Sequence, residues 1–153
     1  MITFRTLAEL RDSVGQHLGH SDWLTIEQDR IDEFARATGD HQWIHVDPSR
    51  AADGPFGATI AHGWLSASLL PVLTKQIYSV DATMAINYGV NKLRFPAPVR
   101  VGSSVRAGST LIDVSEQGDA VQLIVRTEIA VKDAAKPALA AETVGRYYLR
   151  EAQ

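Results

Sequence analysis

The stretch from Ile60 to Leu73 leaves this chain few ways to fold. A helix running from His62 to about Ser79 would carry Trp64, Leu65, Leu69, Leu70, Val72, Leu73 and Ile77 on every side, with little polar surface on its first two thirds. Such a helix has to be covered nearly all round, and Pro71 is expected to kink or split it. The cover stands downstream. Residues 84–95, 103–114, 119–132 and 138–150 alternate at the period of strands, with turns at Gly102-Ser103, Gln117-Gly118-Asp119 and Lys136-Pro137. Val121, Leu123, Val125, Thr127, Ile129 and Val131 alternate without a break. A buried helix followed by antiparallel strands implies a sheet curled around that helix, an α+β arrangement and not a βαβ one.

The N-terminal half reads less regularly. Residues 6–15 suit a short helix (Leu7, Leu10, Val14) ended near Gly15, and residues 21–25 a short strand. Thr25 and Gln28 form a capping-box pair that predicts a helix from Thr25, with Ile31, Phe34 and Ala35 on its apolar face and Gly39 as its stop. Residues 40–60 hold Asp47-Pro48, Asp53-Gly54-Pro55 and Gly57 at turn-like intervals and read as a long loop. Long loops in compact domains are usually functional or disordered. This one opens on a polar cluster, which favours function.

That cluster is Asp40-His41-Gln42-Trp43-Ile44-His45. Beyond a helix stop the chain turns, so Asp40 and His45 can face each other and hold one water between them. A carboxylate and an imidazole so placed suit the addition of water to an activated double bond, or its removal. Gly63, at the start of the buried helix, offers an amide without an intrahelical partner and no side chain to block a ligand. Taken singly, Asp40 could merely close a turn and His45 could be structural. Together with Ala61-His62-Gly63 downstream they read as catalytic, while His62 itself reads as satisfying loop backbone. Asp40, His41, His45 and Asp47 also raise a metal site. However, His41 and His45 share helical spacing on a loop and the His-Glu-x-x-His helix is absent, so no metal is expected. Ser66, Ser68 and Ser109 have no nucleophile-elbow context.

Composition narrows the setting. A chain of 153 residues suits one domain spanning 1–153, and 45% apolar with 22% charged residues is ordinary for a globular protein. A net charge of −3 gives no global preference for nucleic acid or an anionic membrane. The absence of cysteine excludes disulfides, iron–sulfur clusters, thiolate zinc sites and cysteine nucleophiles. The N-terminal residues are charged where a signal peptide needs an apolar run, and Ile60–Leu73 is too short and polar to span a bilayer. A cytoplasmic location is expected.

Three segments carry a family resemblance: Thr38-Gly39-Asp40 with Ile44-His45 and Asp47, then Phe56-Gly57 with Ile60-Ala61-His62-Gly63, then Arg94-Phe95 with Pro98-Val99. In these the chain, from about residue 20 to 150, resembles the MaoC-like (R)-specific enoyl-CoA hydratases. Ile86-Asn87-Tyr88-Gly89-Val90-Asn91-Lys92 further resembles a single-domain subgroup typified by nodulation protein N. The resemblance implies a hot-dog fold, with antiparallel sheet around a long central helix. It implies reversible hydration of a trans-2-enoyl thioester of CoA or acyl carrier protein, with no cofactor. Asp40 and His45 would then be the acid/base pair and Gly63 the oxyanion donor, with Gln42 and His62 counted among the residues meeting substrate. Lys92 and Arg94 become candidates for the CoA phosphates, and a homodimer is expected. The family's Asp-x-Asn-Pro-x-His is altered here, since Gln42-Trp43 replaces Asn-Pro. Trp43 could then narrow the pocket mouth. Two other hot-dog roles compete. A thioesterase would need an acidic residue on the central helix, and none occurs between Asp53 and Asp81. A non-catalytic acyl-thioester-binding module would not need Asp40 together with His45.

Overall fold

Four long antiparallel strands dominate the computed structural model, which describes residues 1–150. They are β5 (Ala82–Arg94), β6 (Ser104–Gln117), β7 (Ala120–Val131) and β8 (Leu139–Leu149), within three residues of the boundaries expected. Short β2 (His17–His20) extends the sheet, giving the order β2-β6-β7-β8-β5, and β3 (Leu24–Thr25) also pairs with β6. The β6–β7 turn closes at Gly118, whose φ of +65° is costly for a side-chain-bearing residue. A separate two-stranded parallel pair joins β1 (Ile2–Phe4) to β4 (Tyr78–Val80), which the sequence reading did not anticipate.

The expected alternation becomes the core. Val105, Ala107 and Leu111 of β6 and Leu123, Val125 and Ile129 of β7 face inward against Leu65, Leu69, Leu70, Leu73 and Ile77. Ser109 and Thr127 sit opposite each other on the same inner face and satisfy one another at 2.9 Å, so neither buried hydroxyl is orphaned. The sheet curls over the helical segment as the hot-dog expectation required.

The central helix is shorter than expected. It forms as α5 (Gly63–Ser68) and α6 (Leu70–Thr74), because Pro71 has no N–H and its ring clashes with a preceding carbonyl. Nor is it covered all round. Trp64 is 66% exposed and Val72 59% exposed.

Elsewhere, α1 (Leu7–Asp12) starts on a full capping box between Thr6 and Glu9. The box expected at Thr25 is absent. Thr25 is drawn into β3, opposite Ser104 and hydrogen-bonded to it at 3.2 Å, so α2 (Gln28–Thr38) begins three residues later with Glu27 as its cap. Strand pairing outweighed the local cap. The expected loop at 40–60 holds two short helices, α3 (Trp43–Val46) and α4 (Pro48–Ala52). Asp47-Pro48 is a helix start and not a turn: Asp47 accepts the Arg50 N–H at 3.0 Å and Pro48 occupies the first turn. Among the described residues no helix is long and apolar enough to cross a membrane.

Candidate active site

The site starts where α2 stops. Gly39 takes the left-handed conformation (φ +79°) and donates to Ala35 O at 2.8 Å, a C-terminal turn that favours glycine. The chain then reverses, leaving Asp40 exposed, and α3 returns His45 to the interior at 6% exposure. His45 Nδ1 lies 2.6 Å from Ile60 O. A carbonyl can only accept, so Nδ1 carries the proton and Nε2 keeps its lone pair. Burial pushes the His45 pKa below its usual value, and His62 adds to this, against the opposing effects of the Ile60 hydrogen bond and Asp40. His45 is therefore neutral at pH 7, with one basic nitrogen free.

His62 completes the cluster. It is 2% exposed and precedes α5, and its ring is stacked on His45 (centroids 3.7 Å, planes 23° apart), with Phe34 also against it at 4.9 Å. Its Nε2 donates to the backbone oxygen of Asp40 at 2.9 Å, so one side chain contacts both members of the pair. Its Nδ1 is buried without a partner among the described residues. Asp40, His45 and His62 bring one side-chain donor atom each within 4.8 Å of one another. Of the four residues first weighed as metal ligands, only Asp40 and His45 belong to this group, since Asp47 caps α4 and His41 is exposed. The stacking disfavours a shared ion. Imidazole lone pairs lie in the ring plane, and these two planes converge well beyond the roughly 2 Å of a metal–nitrogen bond.

A second layer holds His45 in place. Gln28 donates to His45 O at 2.8 Å and accepts from the Thr59 hydroxyl, tying α2, α3 and the segment before α5 together. Neither Gln28 nor Thr59 was identified from sequence. Gln28 had been assigned to a cap, and Thr59 has no motif around it.

Gly63 is the first residue of α5, as expected, where N–H groups have no intrahelical acceptor. The bare face of this glycine is used by protein, because a Cβ there would meet three Phe95 ring carbons at 3.1 Å. Gln42 precedes α3, exposed and without a side-chain cap bond. Trp43 packs against Gly54, with the Arg50 guanidinium 4.4 Å from its ring centroid, and lines neither of the two cavities described next. Lys92 and Arg94 lie on edge strand β5. Lys92 is 3.8 Å from Glu142, and Arg94 turns back to Leu93 O at 2.8 Å. Arg100 is the cation that the backbone brings toward the site, through a bridge to Ile60.

Two cavities adjoin the cluster. One of about 260 Å³ includes Gly63, Ile60 and Phe95 in its wall. A larger one of about 740 Å³ runs between α5–α6 and the inner side of β5 and β8, with Phe34 and Trp64 in its wall. Phe34 packs on His62, so one imidazole ring separates this wall from His45.

The chain is similar to known proteins along most of its length. The chain is 55% identical over 149 residues to 3-hydroxyacyl-thioester dehydratase Z of Mycobacterium tuberculosis, covering 96% of this chain and 99% of that protein. It is 42% identical to nodulation protein N of Rhizobium leguminosarum bv. viciae, covering 91% and 89%. Among solved structures, the (R)-hydratase of A. caviae involved in PHA biosynthesis superposes with a TM-score of 0.72 at 27% identity, over 90% of this chain and 96% of that one. The sequence profile described as "MaoC like domain" matches residues 9–133, most of the chain, including Asp40, His45, His62 and Gly63. The chain belongs to the MaoC-like domain family.

Proposed function

We propose that this chain is a hydro-lyase that adds water reversibly to a trans-2-enoyl-CoA, giving the (R)-3-hydroxyacyl-CoA. The observation that carries this reading is a neutral imidazole, its Nδ1 held by the Ile60 carbonyl and its Nε2 basic, beside the Asp40 carboxylate. The thioester carbonyl draws electron density from C3. A water held between His45 and Asp40 attacks C3 as one of the pair takes its proton, and the double-bond electrons move toward C2 and the thioester oxygen. The Gly63 amide meets the oxyanion, a contact worth on the order of 3 kcal/mol in the transition state. A proton returned from the pair to C2, on the face where the oxygen was added, completes syn hydration. A positioned acid/base contributes about 10²–10⁴ in rate.

The dehydratase and hydratase names of the relatives support the reaction class. The larger cavity is the natural place for the acyl chain, and exposed Lys92, Arg94 and Arg100 are candidates for the CoA phosphates. The protein works as a homodimer in this reading. Edge strand β5 leaves Met84, Ile86, Tyr88 and Val90 exposed with one row of backbone groups unpaired, which a second copy would cover.

The test is hydration of crotonyl-CoA followed by loss of the conjugated thioester absorbance, with Asp40→Asn and His45→Gln alongside, each shown to be folded. Turnover abolished by either substitution supports the reading. A folded wild-type protein that turns over neither crotonyl-CoA nor a longer enoyl thioester would favour the non-catalytic acyl-binding role.

A further inference from the structure

The larger cavity is not uniformly apolar, and the polar groups in its wall divide into two kinds. Ser68 donates to Leu65 O at 2.7 Å, Thr74 to Leu70 O at 2.8 Å and Thr143 to Val125 O at 3.3 Å, while Ser79 pairs with Thr3 at 3.0 Å. Their hydroxyls are satisfied by protein, so these side chains present mainly carbon to the cavity. Tyr78, Tyr147, Asn87 and the exposed Lys75 differ. The two phenols neighbour each other in the wall, each influencing the other's ionisation. Neither makes a hydrogen bond to another protein group among the described residues, nor does the amide of Asn87, which is exposed.

Register places these groups together. Tyr147 is opposite Ala85 and Asn87 is opposite Gly145, so Tyr147 and Asn87 occupy neighbouring positions of β8 and β5 facing one cavity. Gly145 makes room for this. A Cβ there would meet Tyr147 Cε2 at 2.9 Å, so the phenol ring lies across the glycine. Tyr78 begins β4, directly beyond α6. Gly63 and Phe95 mark the opposite end of the helical segment, roughly 16 Å away at the helical rise over Gly63 to Thr74. The cavity therefore has an apolar course past Phe34, Trp64 and Leu70, and a cluster of spare donors and acceptors at its far end.

We propose that Tyr147, with Tyr78 and Asn87, selects acyl chains that carry an oxygen function, a hydroxyl or a keto group, far from the thioester. This rests on the hydratase reading and specifies its substrate class. A plain alkyl end would strip water from two phenols and an amide and return nothing. A site built around hydrogen-bonding groups discriminates against the analogue lacking the partner, because those groups are left unpaired. Burial holds both phenols above their usual pKa, so they stay protonated and can donate across the whole working range.

The test compares a medium-chain trans-2-enoyl-CoA with its ω-hydroxy counterpart of equal length, in wild type and in Tyr147→Phe confirmed folded by thermal melting. Wild type is expected to favour the ω-hydroxy substrate by about ten-fold in kcat/KM, and Tyr147→Phe to bring the ratio close to one. Equal rates in wild type, or a preference that survives in Tyr147→Phe, overturns the proposal. Crotonyl-CoA turnover by wild type separates the two levels, since its absence counts against the hydratase reading. In that event, calorimetric titration with saturated acyl-CoA and ω-hydroxyacyl-CoA still measures the preference, and equal affinities overturn it.

Discussion

Replacing His62 by Phe should separate stability from activity. The phenyl ring keeps the stack between Phe34 and His45 but removes the Nε2–H that donates to Asp40 O at 2.9 Å. Losing that hydrogen bond costs about 1 kcal/mol. The substitution also removes Nδ1, buried without a partner among the described residues, and relieving such an atom returns about 1–3 kcal/mol. The net is zero to about 2 kcal/mol in the variant's favour, so the melting temperature should hold or rise by a few degrees. Activity should not be spared. Asp40 is exposed just beyond a helix stop, and His62 is the side chain that ties its backbone to the buried cluster. A displacement of about 1 Å in a catalytic group costs on the order of 100-fold, so kcat for crotonyl-CoA should fall by about that factor with KM little changed. The pH profile supplies a readout that a structural role would not move. His62 is one of the influences lowering the His45 pKa, so its removal should shift the acid limb of kcat/KM to higher pH. His62→Asn, which retains a donor, should recover part of the lost rate. A stable Phe variant with wild-type kcat and an unmoved acid limb would refute the argument that His62 positions the pair.

Other measurements probe the surroundings of the cluster. Gln28→Leu strands the Thr59 hydroxyl and the His45 carbonyl, and should lower stability by about 1–3 kcal/mol in urea unfolding. The folded-state pKa of His45 lies below its unfolded value, so the unfolded chain binds more protons as pH falls. His45 should therefore cost stability progressively from about pH 6.5 downward and little above it, a slope that His45→Gln should reduce in melts across that range. Ile86→Lys places a charge on the open β5 edge and should yield a folded monomer by light scattering, if that edge joins two copies.

The long strands were legible because alternation at period two is a local signal, and the burial of β6 and β7 follows it residue by residue. The nearness of Asp40 and His45 was legible because the helix stop between Thr38 and Asp40 forces a reversal that any glycine-ended helix shows. The helix boundaries near Thr25 and Pro71 were not. At Thr25 the deciding contact is Ser104, far along the chain, and at Pro71 the sequence signalled a break but could not say how much helix would remain on either side. His62 was assigned correctly to backbone satisfaction, yet its contact with His45 depends on the segment at Ile60 folding back onto α3. No spacing rule encodes that. Trp64 and Val72 were expected to be buried because their helix has no polar face, and both are exposed in the single chain.

Ile60 has a wider consequence than fixing one proton. Its N–H donates to Ile44 O at 3.0 Å, its carbonyl receives His45 Nδ1, and it bridges to Arg100, while Ala61 N–H donates to Val99 O at 2.8 Å. The turn carrying the imidazole and the segment leading to Gly63 are thus riveted to the same short bridge. They should open as one unit, so the amides of Ile60 and Ala61 should exchange with deuterium at similar rates and together with those of α3. A protein that let the imidazole swing separately would sample the wrong tautomer each time the Ile60 carbonyl was released. By binding both to one anchor, the fold keeps His45 and the Gly63 amide in fixed relation, and leaves any larger motion to other parts of the wall.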